Sequence, residues 1–306
     1  KKLIECRNKP NSISARAIRR SVTGHKYWAK FDEEKQNDIE KIAKEINDLI
    51  FVPPFKKPVK TLDLPIAGDQ NSSQSLQIIL NFVNITNDLM EKKEENITLD
   101  KTGEETLIYL EKCKRMAQLI RSKESFSLGL HPAIYLYSKD GNYKVVSFYA
   151  LLDLLIYFDK NPSFINKFIK VRDKFEEILW EYDYLIPQIV RKYRSGLKSY
   201  PYIKDFYIQV INKLAEGKSK LDTIKEIKTE EKFNYLTEFT QEIPSLDDET
   251  SKEFSLNAKY AIVIKEAIQK SLRCKICNGL IYSKSITIDH IQRKRDGGLG
   301  TEDNGQ

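Results

Sequence analysis

From Asp32 to Phe51 the apolar residues Ile39, Ile42, Ala43, Ile46, Leu49 and Ile50 recur at steps of three and four, and the same period returns in segment after segment. That spacing lines one face of an α-helix and is incompatible with the two-residue alternation of a half-buried strand. Further stretches with this period start near Leu76, at Leu107, at Phe148, at Phe164, at Ile203 and at Tyr260. Only 12 glycines and 10 prolines punctuate 306 residues, so few interior breaks interrupt the helices. The sequence predicts a mainly α protein, a helical-bundle body with little sheet.

Local signals refine this. Pro53-Pro54 closes the first helix, and a connecting loop follows with a short strand around Leu62 to Ile66. Thr102 followed by Glu105 matches a capping box. Ile134, Leu136 and Ser138 alternate with tyrosines ahead of Asp140-Gly141, which predicts a short hairpin, and Ser147 is expected to cap the next helix. After Asn161-Pro162, Ser163 opens a long helix, and Gly217 closes a later one. The pattern fades between 228 and 252, where Pro244, Ser245, Asp247, Asp248 and Glu249 form a polar stretch. The expected division is therefore a body over 1–245 and a linker helix with a second module over 246–306.

Four cysteines exclude a secreted disulfide framework, and Cys6 and Cys113 read as free thiols of a reducing cytoplasm. The most apolar run, Tyr149 to Phe158, is broken by Asp153 and falls well short of the roughly 20 residues that cross a bilayer, so no membrane is expected as a partner. The net charge of +7 is supplied by the first thirty residues, where nine Lys or Arg stand against Glu5 alone. Such clustering suits a polyanion, and Arg16, Arg19 and Arg20 are the arm's candidate DNA contacts; a solvated arm is the plainer alternative. Arg191, Lys192, Arg194, Lys198 and Lys204 carry no intervening acid and alternate with Tyr193, Tyr200 and Tyr202, a composition of nucleic-acid grooves and equally of solvated faces. Walker A and G-x-G-x-x-G patterns are absent from the sequence.

The chemistry concentrates after residue 273. Cys274 and Cys277 form a C-x-x-C pair followed by Gly279, a spacing that suits half of a tetrahedral zinc site, redox chemistry or two inert thiols. β-Branched Ile286, Thr287, Ile288 and Ile291 surround Asp289-His290, which places the pair at the end of a strand. A carboxylate can ligate Mg²⁺ or Mn²⁺ while a neighbouring imidazole, near pKa 6.5, takes a proton from water. A strand-end histidine paired to an acid for stability is the competing reading of an isolated Asp-His.

In combination, the C-x-x-C pair, Asp289-His290-Ile291, the basic run Arg293-Lys294-Arg295, Gly297-Gly298 and Asn304, fourteen residues after the histidine, resemble the opening of an HNH endonuclease, the ββα-metal fold. The resemblance covers 273–306. It implies that His290 is the general base, that Asp289 ligates the catalytic divalent metal, and that Asn304 pins the loop carrying the base. It further implies that Cys274 and Cys277 bind a structural Zn²⁺ and that Gly297 and Gly298 permit the tight loop; Arg293, Lys294 and Arg295, directly after the histidine, suit flanking phosphates, with a solvated basic loop as the alternative. The family's third metal ligand and second cysteine pair are missing, since the only histidines are His25, His131 and His290 and no cysteine follows Cys277. This departure points to a piece of a longer protein, with an incapacitated nuclease as the alternative. Residues 127–184, including Leu130-His131-Pro132-Ala133-Ile134-Tyr135-Leu136-Tyr137-Ser138, are similar in texture to the helical middle of bacterial defence nucleases that join a ParB-like domain to HNH. The expected function is metal-dependent cleavage of foreign DNA in bacterial defence. A non-catalytic zinc-knuckle DNA-binding module and a regulatory bundle docking a protein partner or a second copy are the alternatives.

Overall fold

The structure, a computed structural model, describes residues 31–52, 64–65, 72–90, 100, 102–238 and 253–305. The basic arm with Arg16, Arg19 and Arg20, and the polar stretch at the expected 245/246 boundary, lie outside the described residues.

The body is helical. Helices α1 (Glu33–Ile50), α2 (Ser72–Thr86) and α3 (Glu104–Ile120) pack together, and α2 leans on α5 (Val145–Lys160). Most apolar side chains of α5 are buried, including Phe148, Leu151, Leu152, Leu155 and Phe158, and the others are half-buried. The run that is apolar all round is thus the bundle's central helix, as expected for an element enclosed on all sides. Among the described residues no helix is long and apolar enough to cross a membrane. Asp153, its one interior acid, is placed 3.6 Å from Lys204, and burial raises its carboxyl above the usual carboxylate range despite that lysine.

Helix α6 (Pro162–Glu181) starts with proline at its first position, where the missing N–H has no intrahelical role. Its Phe168 and Phe175 meet edge to face at 5.7 Å, and Phe175 meets Tyr207 of α8 (Gly196–Ala215) at 5.6 Å. The aromatic stripes read from the sequence are core. Helices α7 (Leu185–Tyr193) and α9 (Lys220–Thr229) pack on α8, and α10 (Leu256–Lys270) meets the short α4 (Pro132–Tyr135). Two-residue strands β1 (Phe51–Val52) and β2 (Leu64–Pro65) pair in parallel.

Several local expectations are corrected. No capping box opens α3: Gly103 is the cap, and the Asp100 carboxylate accepts from the amides of Thr102, Gly103 and Thr106 and from the Thr106 hydroxyl. Those donors outweigh burial and hold the Asp100 carboxyl below its usual value. The expected hairpin keeps its turn at Gly141 (φ 74°) and one antiparallel bridge, Tyr137 to Tyr143, but Ile134 belongs to α4. His131 explains that switch, because its side chain caps α4 by accepting from Ala133 N. Ser147 lies within α5 and is buried. Helix α9, capped by Ser219, precedes the stretch where the pattern fades and is an element that the sequence reading missed.

Candidate functional site

Two short pieces follow α10, and they are built differently. In the first, residues 272–282, Cys274 N donates to Gly279 O at 2.9 Å, Asn278 N donates to Cys274 O at 2.9 Å, and Arg273 bridges Leu280. Asn278 takes a positive φ of 52°, which closes the knuckle. The Cys274 Sγ accepts from the Ile276 amide at 3.4 Å. Burial pushes the Cys274 thiol up, but the amides of Cys277 and Ile276 outweigh it and the thiol lies below its ordinary value. At Cys277 burial dominates and raises the thiol, with Arg172 pulling the other way.

Arg172 comes from α6 and is 3% exposed. Its guanidinium donates to Leu128 O at 2.6 Å, to Leu280 O at 2.8 Å and to Glu176 Oε1 at 2.7 Å, and its Nη1 is 3.7 Å from Cys277 Sγ. Glu176 in turn accepts from Leu280 N at 2.7 Å and from the Tyr135 hydroxyl at 2.9 Å. A Cβ at Gly279 would sit 2.3 Å from Arg172 Nε, so only glycine leaves room for the guanidinium. Every polar atom of this buried pair therefore has a partner, the condition under which a buried ion pair is tolerated. The chain beyond it joins the body's core through buried Leu280 and Tyr282, and Tyr282 N donates to Gly129 O.

His131 fastens the same seam. Its Nδ1 accepts from Ala133 N, and its Nε2 lies 2.7 Å from Ser271 Oγ, which itself donates to Ala267 O. With that hydroxyl proton committed, the neutral imidazole must carry its proton on Nε2. Burial, aided by Arg172, lowers its pKa to about 4.

The second piece, residues 286–305, is exposed and held by its own bonds. The strand expected before Asp289 is replaced by extended chain without ladder pairing, and a single antiparallel bridge joins His290 to Gly305. The β-branched residues have no partner strand among the described residues to pair with: Ile288 is 82% exposed. Asn304 binds the loop at three points. Its Oδ1 accepts from Gln292 N at 2.6 Å, and its Nδ2 donates to the carbonyls of Gln292 (3.1 Å) and Leu299 (2.7 Å). Gln292 Nε2 closes the loop on Asp296 O at 2.7 Å. Gly297 has the positive φ expected of it, 87°. Gly298 is needed for a different reason, because a Cβ there would lie 1.8 Å from Gln292 O.

Asp289 is exposed and His290 half-exposed; neither is packed into the core. The Asp289 Oδ1 accepts from His290 N at 2.8 Å, which leaves Oδ2 with no donor among the described residues. Arg293, Lys294 and Arg295 are exposed on the turn between the two arms of the loop. Among the described residues no group of three or more His, Cys, Asp or Glu side chains converges. The donors that are brought together are a soft pair, Cys274 and Cys277, and a hard oxygen with an imidazole, Asp289 and His290. These fit part of a zinc shell and part of a magnesium or manganese shell respectively.

The sequence reading missed Arg172, Glu176 and Gln292. A signal for the first two existed: an Arg/Glu pair at i and i+4 falls on the same stripe as Phe168, Phe175 and Leu179. Gln292 gave none, since its role depends on where the loop returns. Compared with protein-family models, with curated proteins and with solved structures, the chain matches none of them.

Proposed function

We propose that the chain carries part of an HNH-type endonuclease site that hydrolyses DNA phosphodiester bonds, with bacterial defence against foreign DNA as the setting. The observation that supports this best is the three-point hold of Asn304 on the loop beginning at His290, with Asp289 and His290 left accessible. In this reading Asn304 fixes the backbone from which the imidazole projects, so His290 meets its water in one orientation and little ordering remains to be done at the moment of reaction. The neutral His290 imidazole accepts the water's proton as oxygen approaches phosphorus. Asp289 would hold Mg²⁺ or Mn²⁺ through a carboxylate oxygen, a cation that would supply positive charge against the charge developing on the phosphate. Arg293, Lys294 and Arg295 hold phosphates beside the scissile bond. Cys274 and Cys277 would ligate Zn²⁺, and Arg172 favours the thiolate at Cys277.

The test is conversion of supercoiled plasmid to nicked circle by the full-length protein in Mg²⁺ or Mn²⁺, with EDTA as control. Conversion is expected with either metal, and Asp289→Asn should need a higher metal concentration for the same rate. Tight plasmid binding with no conversion in either metal would favour the non-catalytic zinc-knuckle reading.

A further inference from the structure

The corner between α7 and α8 carries Arg191, Lys192, Arg194 and Lys198, all exposed. None of the four meets an acidic side chain among the described residues, whereas Lys204 of the same run is paired with Asp153 and Asp205. Lys198 sits in the first turn of α8, which contains no acid. A cation there works against the helix dipole, so α8 gains nothing from it. Beside the corner lies an open groove of about 500 Å³, lined by Lys192, Tyr193, Lys232 and Tyr235 with Glu230 and Glu231. Glu230 is neutralised by Lys213 at 3.1 Å.

The aromatic rings decide what kind of anion fits. Tyr193 and Tyr202 stack on each other at 3.5 Å with planes 9° apart, and Tyr235 stands edge-on to Tyr193. Lys232 lies over the Tyr202 ring and Lys192 over the Tyr235 ring. Tyr193 and Tyr202 each cover a face of the other, and the lysines cover a face of Tyr202 and of Tyr235, which reduces the ring surface left for bases. The Tyr235 ring holds Lys192 in place instead, by cation–π attraction, while Lys232 is held by the Tyr202 ring and by its ion pair with Asp205. What remains open is the ammonium of Lys192 and Lys198 and the guanidinium of Arg191 and Arg194, whose fork matches phosphate oxygens. An acidic protein partner would need an apolar anchor as well, and the corner offers only Leu197, 39% exposed.

We infer that the α7–α8 corner is a sequence-independent binding surface for the phosphate backbone of nucleic acid. It does not depend on the cleavage reading, because it is measured in EDTA, where no cutting occurs.

The experiment is fluorescence anisotropy of a labelled random-sequence 20-base-pair duplex titrated with the protein across a salt series in EDTA. Wild type is compared with Arg191→Gln/Arg194→Gln/Lys198→Gln and with an equal-charge control at the exposed residues Lys41→Gln/Lys44→Gln/Lys123→Gln. Each phosphate contact contributes about 0.9 to the slope of log K against log salt, so the corner variant should lose up to about 2.7 in slope while the control keeps the wild-type value. All six substitutions are at exposed side chains, and unchanged thermal unfolding verifies that each variant is folded. An unchanged slope in the corner variant, or an equal loss in the control, overturns the inference. Binding of polyglutamate that the corner variant loses, with duplex binding retained, also overturns it and assigns the corner to an acidic protein.

Discussion

The two pieces that follow α10 solve opposite problems. The knuckle at 272–282 is fastened from outside, by the buried Arg172–Glu176 pair of α6, by His131 and by Tyr282 in the core. The loop at 286–305 is fastened from inside, by Asn304 and Gln292, and shows its side chains to solvent. Buried Gly279, Leu280 and Tyr282 give the first a fixed place on the body, while its tip with Lys275 and Ile276 stays exposed. Self-bracing lets the second stay accessible while its backbone is held. A site that must admit a polymer benefits from both: one part anchored, one part open.

The contrast is broken most severely at its buried end. Arg172→Met leaves Glu176 buried with its cation gone and strips the Leu128 and Leu280 carbonyls of their donor, so unfolding free energy from denaturant titration should fall by about 3–5 kcal/mol. Arg172→Met/Glu176→Leu should recover a large part of that loss. A small effect of the single variant would show that the knuckle is not fastened as described. Next comes acid. The folded pKa of His131, about 4, lies below the ordinary 6.5, so the unfolded chain binds the proton first. Its contribution is complete above pH 6.5 and is lost as pH falls towards 4, amounting to about 3 kcal/mol. Denaturation midpoints compared at pH 7 and pH 4.5 read this, and His131→Asn should flatten the difference. The smallest effect is expected in the loop: Asn304→Ala should change global stability by about 1 kcal/mol or less, yet speed amide exchange at Gln292 while Leu280 keeps its protection. Equal acceleration at both amides would merge the two pieces into one unit.

How much of this was legible depends on the range of the interaction. The 3.6-residue period placed α1, α6 and α8 because each buries one continuous stripe, and α10 because a half-buried stripe flanks its buried Ile264. A stop was legible where one residue acts locally, as Gly217 does; the start of α6 was read one residue late, at Ser163 rather than Pro162, and the start of α3 was misread because a tertiary partner substitutes, Asp100 for Thr102. In the site, Asn304 and the two glycines were singled out only through the resemblance of 273–306 to a known motif, and the geometry separates their reasons: Gly297 supplies a left-handed turn and Gly298 clears Gln292 O. Arg172 lies 105 residues from Cys277, and a contact of that separation leaves no local period.

The central claim, that the accessible Asp289–His290 loop is the reacting part, is tested most directly by plasmid nicking with wild type and His290→Ala side by side in Mn²⁺. Wild type should nick, and His290→Ala should bind the same plasmid equally well without nicking it. Equal nicking by the two proteins would contradict the account.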